Sequence, residues 1–170
     1  YSGMSWSDVL LGFEHGIKKA KSRYPDFQAH LICIASRDYG PAGVATTVDF
    51  FLKNQARFIG LDLAGDEIKH PSSLFVEAFK PAVQAKASIT IHAGEASGPE
   101  TVWEAIEELG ARRIGHGVAS IRDPKLMQYL QTHGICLEIC PTSNWITQAT
   151  PSLEAHPLPS LLNAGVPVCI

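Results

Sequence analysis

A histidine and a glutamate that follow one apolar run are the first indication of chemistry in this sequence. Residues 89–95 read ITIHAGE, so His92 and Glu95 lie three positions apart at the end of a short apolar segment. Residues 113–117, RIGHG, repeat this form and place His116 at the end of a second such segment. Neutral imidazole binds zinc well, and zinc lowers the pKa of a bound water toward neutrality. The spacing therefore indicates a metal-dependent hydrolase site.

Glu95 admits two interpretations. A carboxyl group shielded from solvent has a raised pKa, so Glu95 can be protonated near neutral pH and act as an acid. Alternatively, Glu95 is a surface residue that caps the helix expected after Gly98 and Pro99. A single histidine at a strand end is more often a packed, hydrogen-bonded residue than a ligand. Two histidines on neighbouring strands, with a carboxylate beside the first, favour a functional site.

Alternating apolar runs and helical patterns predict the scaffold that holds these residues. Short apolar runs typical of parallel strands covered on both faces occupy residues 30–35, 58–64, 88–92, 113–116, 135–140 and 166–170. Segments of helical period lie between them. Pro99 and Gly110 are typical residues for the start and end of one helix, as Pro124 and Gly134 are for another. Pro81 predicts a kink, or two short helices, within residues 73–86.

Strands that alternate with helices predict a parallel α/β sheet, either open and doubly wound or part of an eight-stranded barrel. No Gly-x-Gly-x-x-Gly motif follows a strand, which weakens the dinucleotide-binding alternative. Polar residues repeatedly follow the strand ends, at 37–38, 65–67, 92, 95, 116 and 142–144. In a (β/α)8 barrel these ends share the face that carries the active site, so the barrel is favoured.

Composition limits the class of protein and its partners. A chain of 170 residues with 45% hydrophobic content lies in the single-domain range, and we expect one domain over residues 1–170. The formal charge of −3 predicts no nucleic-acid partner. The absence of a run of about 20 apolar residues, and of a signal-peptide pattern, predicts no membrane partner and a cytoplasmic location. The cysteines lie in apolar runs, so we expect reduced packing residues at Cys33, Cys136, Cys140 and Cys169.

Several motifs together resemble the adenosine deaminase family of the amidohydrolase superfamily. They are LDLAGDE at 61–67, HAGE at 92–95, GHG at 115–117 and EICPTSN at 138–144, and segments 156–159 and 161–166 continue the match. The resemblance covers essentially the whole chain. It implies a zinc-dependent (β/α)8 barrel with one Zn²⁺ per complete site and a purine nucleoside as its small-molecule partner. The implied reaction is the hydrolysis of adenosine to inosine and ammonia. The same reaction on 2′-deoxyadenosine gives deoxyinosine and ammonia.

The same resemblance implies a role for each site residue. His92 corresponds to a zinc ligand, and Glu95 corresponds to the acid that protonates the purine ring nitrogen. His116 corresponds to the histidine that orients the attacking water and helps to deprotonate it. Gly65 corresponds to the glycine whose backbone N–H contacts the purine. The two acidic residues after Gly65, Asp66 and Glu67, could support the site residues or place charge at a helix N-terminus, and no catalytic role is assigned to them. The other histidines, including His156, are interpreted as surface or structural residues.

Two parts of the family's zinc site do not occur in this sequence. The family has a His-x-His pair on the first strand and an aspartate at the end of the last. No two histidines here are two positions apart, and the sequence given ends at Ile170, where the segment with the aspartate is expected to follow. Counting strands gives equivalents of the third to the eighth, so we expect an incomplete barrel that lacks its N-terminal strands and its C-terminal end. A complete barrel has about 250 residues. We expect the chain alone to have little or no deaminase activity, and its unpaired sheet edges to favour self-association.

Two other functions stay open. The first is deamination of adenine or another aminopurine, because the motif from His92 to Glu95 would serve any such base. The second is a non-catalytic purine-binding or interaction module. The presence of both Glu95 and His116 disfavours the module, which would need neither.

Overall fold

The computed structural model describes residues 3–170, which divide into two compact units between Leu31 and Ile32. The first unit contains one long helix, α1 (Trp6–Arg23). Ser5 and Asp8 form a capping box at its start, where each side chain accepts the backbone N–H of the other. This reciprocal bonding satisfies two N–H groups that have no partner within the helix.

The second unit is built on a parallel sheet in which each strand pairs with the next one along the chain. Its strands are β1 (Ile32–Ser36), β2 (Gly60–Ala64), β3 (Ile89–Ala93), β4 (Arg113–His116), β5 (Cys136–Glu138) and β6 (Val168–Cys169). Its helices are α2 (Gly40–Lys53), α3 (Val76–Gln84), α4 (Pro99–Glu107), α5 (Pro124–His133), α6 (Pro141–Ile146) and α7 (Leu158–Asn163). The predicted alternation of strands and helices is confirmed.

The core of this unit consists of alternate strand residues and the apolar faces of the helices. Leu61 and Leu63 of β2, Ile91 of β3 and Ile114 of β4 are fully buried. Since successive side chains of a strand point to opposite faces, the intervening residues share the other face of the sheet. That face carries Asp62 and His92, so on β2 and β3 the period of the strands separates the packing residues from these polar ones.

The cysteine prediction is only partly correct. All four thiols are free, as expected, and Cys33 is buried in the core. Cys136 is half-buried, whereas Cys140 and Cys169 are exposed, so they are not packing residues. Cys140 lies beyond the end of β5, at the start of α6. Cys169 is the register partner of Glu138 and shares its sheet face, away from the core.

Pro81 does not divide its segment into two helices, one of the two alternatives that the sequence predicts, and the other alternative, a kink at Pro81, stays a prediction. A 3₁₀ turn at Ser72–Phe75 passes directly into α3, and Pro81 lies inside that helix. Pro81 cannot donate to the carbonyl of Glu77, but both residues are exposed, so water can hydrogen-bond to that carbonyl instead.

None of the described helices has the length and apolar character that crossing a membrane requires.

Candidate functional site

The residues predicted from the two strand-end motifs lie together at the carboxyl ends of β3 and β4. His92 faces Gly115 in the register of these strands, and His116 is the last residue of β4. Nε2 of His116 lies 3.3 Å from a carboxylate oxygen of Glu95. The rings of His92 and His116 are 5.2 Å apart between centroids, in an edge-to-face arrangement. The structure thus brings two histidines and one carboxylate into a single cluster.

Gly115 makes room for the ring of His92. A Cβ atom at this position would lie 2.9 Å from His92 Nδ1 and 3.2 Å from its Cα. Such contacts are shorter than van der Waals separation, so any side chain here would displace the ring. The glycine of the second motif therefore helps to position the histidine of the first.

A cavity of about 950 Å³ opens beside this cluster. Its lining includes Gly65, His92 and Glu95, together with residues of the loops after β4 and α6. The volume and the mixture of apolar and polar groups are typical of a site for a small organic molecule. Three of the four predicted site residues line this cavity, and the fourth, His116, contacts one of them.

Asp62 fixes the orientation of the His92 ring. Its two carboxylate oxygens lie 3.1 and 3.0 Å from His92 Nδ1, and Asp62 itself is buried. This hydrogen bond raises the pKa of His92, against the opposite effect of burial. Since Nδ1 donates to the carboxylate, Nε2 carries the lone pair of the neutral ring, and no partner bonds to it within residues 3–170. A carboxylate behind the imidazole is typical of metal-binding histidines.

Glu67 organises the loop that carries Glu95. Its carboxylate accepts the four consecutive backbone N–H groups of residues 94–97, three of them at 2.9, 2.9 and 3.0 Å. The hydroxyl of Thr101 donates a further hydrogen bond of 3.2 Å. Because Glu67 is buried, these bonds are shielded from water and hold the loop in one conformation.

Arg37, the residue that follows β1, supports the same strand end. Its guanidinium donates to the carbonyl oxygens of His92 at 3.0 Å and of His70 at 2.8 Å, and the side chain is fully buried. Burial lowers the pKa of Arg37, while the charges of Glu67 and Asp62 oppose this effect. Arg37 therefore supplies positive charge close to two buried carboxylates, which reduces the cost of burying them.

Asn144 of α6 contacts both Glu95 and His116, and Thr147, which follows α6, contacts Glu95. The hydroxyl of Thr147 donates to Glu95 at 3.0 Å, and the amide nitrogen of Asn144 lies 3.4 Å from the same oxygen. Asn144 also bonds to Nδ1 of His116 at 2.9 Å. Burial lowers the pKa of His116, although the charge of Glu95 opposes the shift. His116 has a backbone φ of 64°, a strained value for a residue with a side chain.

Gly65 lies at the end of β2, where the chain can accept only glycine without strain. Its φ is 112°, and a Cβ would lie 2.9 Å from an Asp38 carboxylate oxygen and 3.3 Å from the backbone nitrogen of Arg37. Gly65 lines the cavity, so its missing side chain also leaves room for a ligand. Its predicted location at the site is consistent with this geometry, whereas its contact with a purine stays a prediction.

Gly65→Ala is expected to lower the free energy of unfolding by about 1–3 kcal/mol. Alanine is strained at this positive φ, and its Cβ would also lie too close to the Asp38 carboxylate. Gly134→Ala is a matched control: Gly134 has a φ of 65°, but open space surrounds the position of its Cβ. Urea unfolding of both variants would measure the two costs. An equal loss in both would show that the contact with Asp38 contributes nothing.

Most of the residues that hold this cluster in place are not predicted by the sequence motifs. They are Arg37, Asp62, Asn144 and Thr147. Glu67, for which the sequence left a supporting role open, also holds the cluster in place. One signal was available for Asp62, because it is the only charged residue within an otherwise apolar strand. His156 was interpreted as a surface or structural residue, and the structure is consistent with the second alternative, since the residue is buried and its Nε2 lies 3.2 Å from Asn144 Oδ1.

A parallel sheet flanked by helices, with its polar cluster at the carboxyl ends of the strands, defines a protein of the TIM-barrel amidohydrolase class. The family model "Adenosine deaminase" matches residues 1–170, and the chain belongs to the adenosine deaminase family. The sequence is 47% identical over 143 residues to an adenosine deaminase of Vibrio cholerae, a match that covers 84% of this chain and 43% of the relative. The chain thus spans less than half the length of the curated relatives it matches.

Solved structures confirm the fold. An adenine deaminase from Arthrobacter aurescens has a TM-score of 0.89 at 28% identity, over 98% of this chain and 51% of that protein. An amidohydrolase from Burkholderia ambifaria with bound Zn has a TM-score of 0.88 at 25% identity, over 98% and 47%. The Arabidopsis protein ADAL, in complex with IMP, has a TM-score of 0.77 at 25% identity, over 99% and 51%. The predicted partial barrel is therefore correct.

Proposed function

We propose that this chain supplies part of the active site of a zinc-dependent adenosine deaminase. In the proposed reaction, water replaces the 6-amino group of adenosine or 2′-deoxyadenosine, and ammonia leaves. The observation that carries the proposal is the 3.3 Å contact between Glu95 and His116, beside a cavity lined by His92 and Gly65. The family to which the chain belongs supports the same reaction.

His92 is the residue that would hold the metal. It fits this role because Asp62 occupies Nδ1 and leaves Nε2 for a ligand bond. Among the described residues 3–170, no group of three or more histidine, cysteine or acidic side chains is arranged to bind an ion. We therefore assign His92 as one ligand of a larger set. Zinc, when bound, would supply a water activated for attack.

Glu95 would act as the acid. Its carboxyl group reaches the cavity and is held by Thr147 and His116, so it can be directed at a ring nitrogen of a bound purine. Transfer of a proton to that nitrogen makes the adjacent carbon electrophilic enough for attack by water. Gly65 would contribute its backbone N–H to the purine, at a point where no side chain obstructs a flat base. His116 would orient the attacking water.

A parallel assay of adenosine, adenine and AMP would test this function on the complete zinc-loaded protein, with inosine and ammonia measured as products. We expect fastest release of ammonia from adenosine. Absence of turnover, combined with adenosine binding that needs neither zinc nor Glu95, would contradict the proposal and support a purine-binding module instead.

Deamination of adenine is the second candidate. The structure of the Arthrobacter aurescens adenine deaminase superposes on nearly the whole of this chain with a TM-score of 0.89. The residues assigned here would act on the base and not on the ribose, so they would serve adenine equally well. Faster turnover of adenine than of adenosine in the same assay would favour this candidate.

Asp62→Asn is expected to weaken zinc binding by about 10–100-fold, because an amide does not impose the Nδ1–H form of His92 as a carboxylate does. The affinity would be measured on the complete protein by competition with a chromophoric chelator. Asp49→Asn is the matched control, since Asp49 lies on the exposed surface of α2 and pairs only with Lys53 in the described structure. Equal zinc affinity in both variants would contradict the role of Asp62.

Other expectations from the sequence stay predictions. They are the cytoplasmic location, the absence of a nucleic-acid partner, self-association through an open sheet edge, and the low activity of the 170-residue chain by itself. The last would be tested by zinc content and inosine formation on the isolated polypeptide.

A further inference from the structure

A continuous series of hydrogen bonds connects the start of α7 to the acid Glu95. The backbone N–H of Leu158 lies 3.0 Å from His156 Nδ1, and His156 Nε2 lies 3.2 Å from Asn144 Oδ1. Asn144 Nδ2 then lies 2.9 Å from His116 Nδ1, and His116 Nε2 lies 3.3 Å from Glu95 Oε2. The three linking side chains are buried, with 5%, 0% and 8% of their surface exposed for His156, Asn144 and His116.

The direction of each bond follows from the first one. A backbone N–H can only donate, so Nδ1 of His156 must accept from Leu158 and carries no proton. A neutral His156 therefore has its proton on Nε2, which donates to the oxygen of Asn144. Burial lowers the pKa of His156, which favours this neutral form.

The orientation of the Asn144 amide determines which nitrogen of His116 carries the proton. With its oxygen bonded to His156, its NH₂ group faces His116 Nδ1 and must donate to it. The same NH₂ group lies 3.4 Å from Glu95 Oε1, where the opposite orientation would place two oxygens against each other. Two independent contacts thus select one orientation of the amide.

We propose that Asn144 and His156 are positioning residues that hold His116 as a neutral imidazole with its proton on Nε2. The proposal rests on the proposed function, because His116 is the residue assigned to the attacking water. In this form His116 presents an N–H toward Glu95, while its other nitrogen is occupied by Asn144. A water that contacts His116 Nε2 beside Glu95 would therefore receive a hydrogen bond that orients it. In this form His116 does not accept the proton of the water, which differs from the role that the family resemblance implies.

Nitrogen-15 spectra of the histidine rings would test the proposal on the complete protein, with the His116 signals identified through a His116→Gln variant. The expected wild-type spectrum shows a protonated Nε2 and an unprotonated Nδ1. A proton on Nδ1 would overturn the proposal. This measurement needs no turnover, so a protein with the expected spectrum but no deaminase activity would contradict the proposed function and not the assignment of the tautomer.

Substitutions would then test what selects the tautomer. Asn144→Asp turns the donor facing Nδ1 into an acceptor, so the proton is expected to move to Nδ1 and kcat to fall on the order of 10²–10⁴-fold with KM nearly unchanged. Asn163→Asp, at an exposed position of α7, is the matched control and should change neither. An unchanged His116 spectrum in folded Asn144→Asp would overturn the proposal.

His156 offers a second pair of variants that does not depend on the folding of Asn144→Asp. His156→Phe removes both hydrogen bonds, so we expect a mixture of His116 tautomers and a lower kcat. His156→Gln can accept from Leu158 and donate to Asn144, so it should restore the wild-type spectrum and much of kcat. If both variants kept the wild-type His116 spectrum, His156 would have no positioning role.

Discussion

Glu67→Gln is expected to lower the free energy of unfolding by about 3–5 kcal/mol, the cost of breaking a buried, paired charge. The carboxylate accepts the N–H groups of residues 94–97 through two oxygens. Glutamine has one oxygen, so its NH₂ group must face an N–H donor. The change also leaves buried Arg37 with one neighbouring negative charge fewer. Chemical denaturation would measure the loss.

Glu107→Gln is the control for this substitution. Glu107 is exposed at the end of α4, and its replacement should change the free energy of unfolding by no more than about 0.5 kcal/mol. If Glu67→Gln were as stable as this control, the loop after β3 would be held by other contacts, and Glu67 would not be its anchor.

Glu95→Gln is expected to reduce kcat for adenosine by about 10²–10⁴-fold while leaving the fold intact. Glutamine has the shape of glutamate and can still accept the hydroxyl of Thr147, but its amide N–H is far too weak an acid to transfer a proton to the purine. Steady-state release of ammonia by the complete protein would measure the effect, and thermal unfolding would confirm that stability is unchanged.

The same Glu107→Gln variant controls for the loss of one negative charge, and its kcat should equal that of the wild type. Activity of Glu95→Gln within a factor of ten of the control would show that Glu95 is not the acid. Glu67→Gln, in contrast, should lose stability and activity together. The two substitutions therefore separate the residue that transfers a proton from the residue that positions it.

The sequence was sufficient to predict the sheet and the centre of the site, because both depend on local patterns. The apolar runs and the polar residues after them mark where β3 and β4 end, and this places His92 and His116 at the carboxyl ends of paired strands. Glu95 follows three residues after His92 and so lies in the adjoining loop. Each inference needs only a few consecutive residues.

The supporting residues could not be predicted in this way. Asp62 meets His92 only because β2 and β3 pair in a particular register, and Arg37 reaches the same strand end from β1. Asn144 and His156 are separated from His116 by whole helices and strands. Such contacts depend on how segments that are distant in the sequence pack together. The periodicity and spacing of residues in a single sequence do not predict that packing.

The order of the strands also sets an order of assembly. Because each strand pairs with the next one along the chain, the sheet can lengthen by one strand at a time as the polypeptide leaves the ribosome. His92, Glu95 and His116 would be in place once β4 has paired, but Asn144 and His156 emerge only after β5. The three side chains assigned to catalysis are therefore brought together before the residues that orient them, and in a nascent chain His116 still lacks the contacts that select its proton.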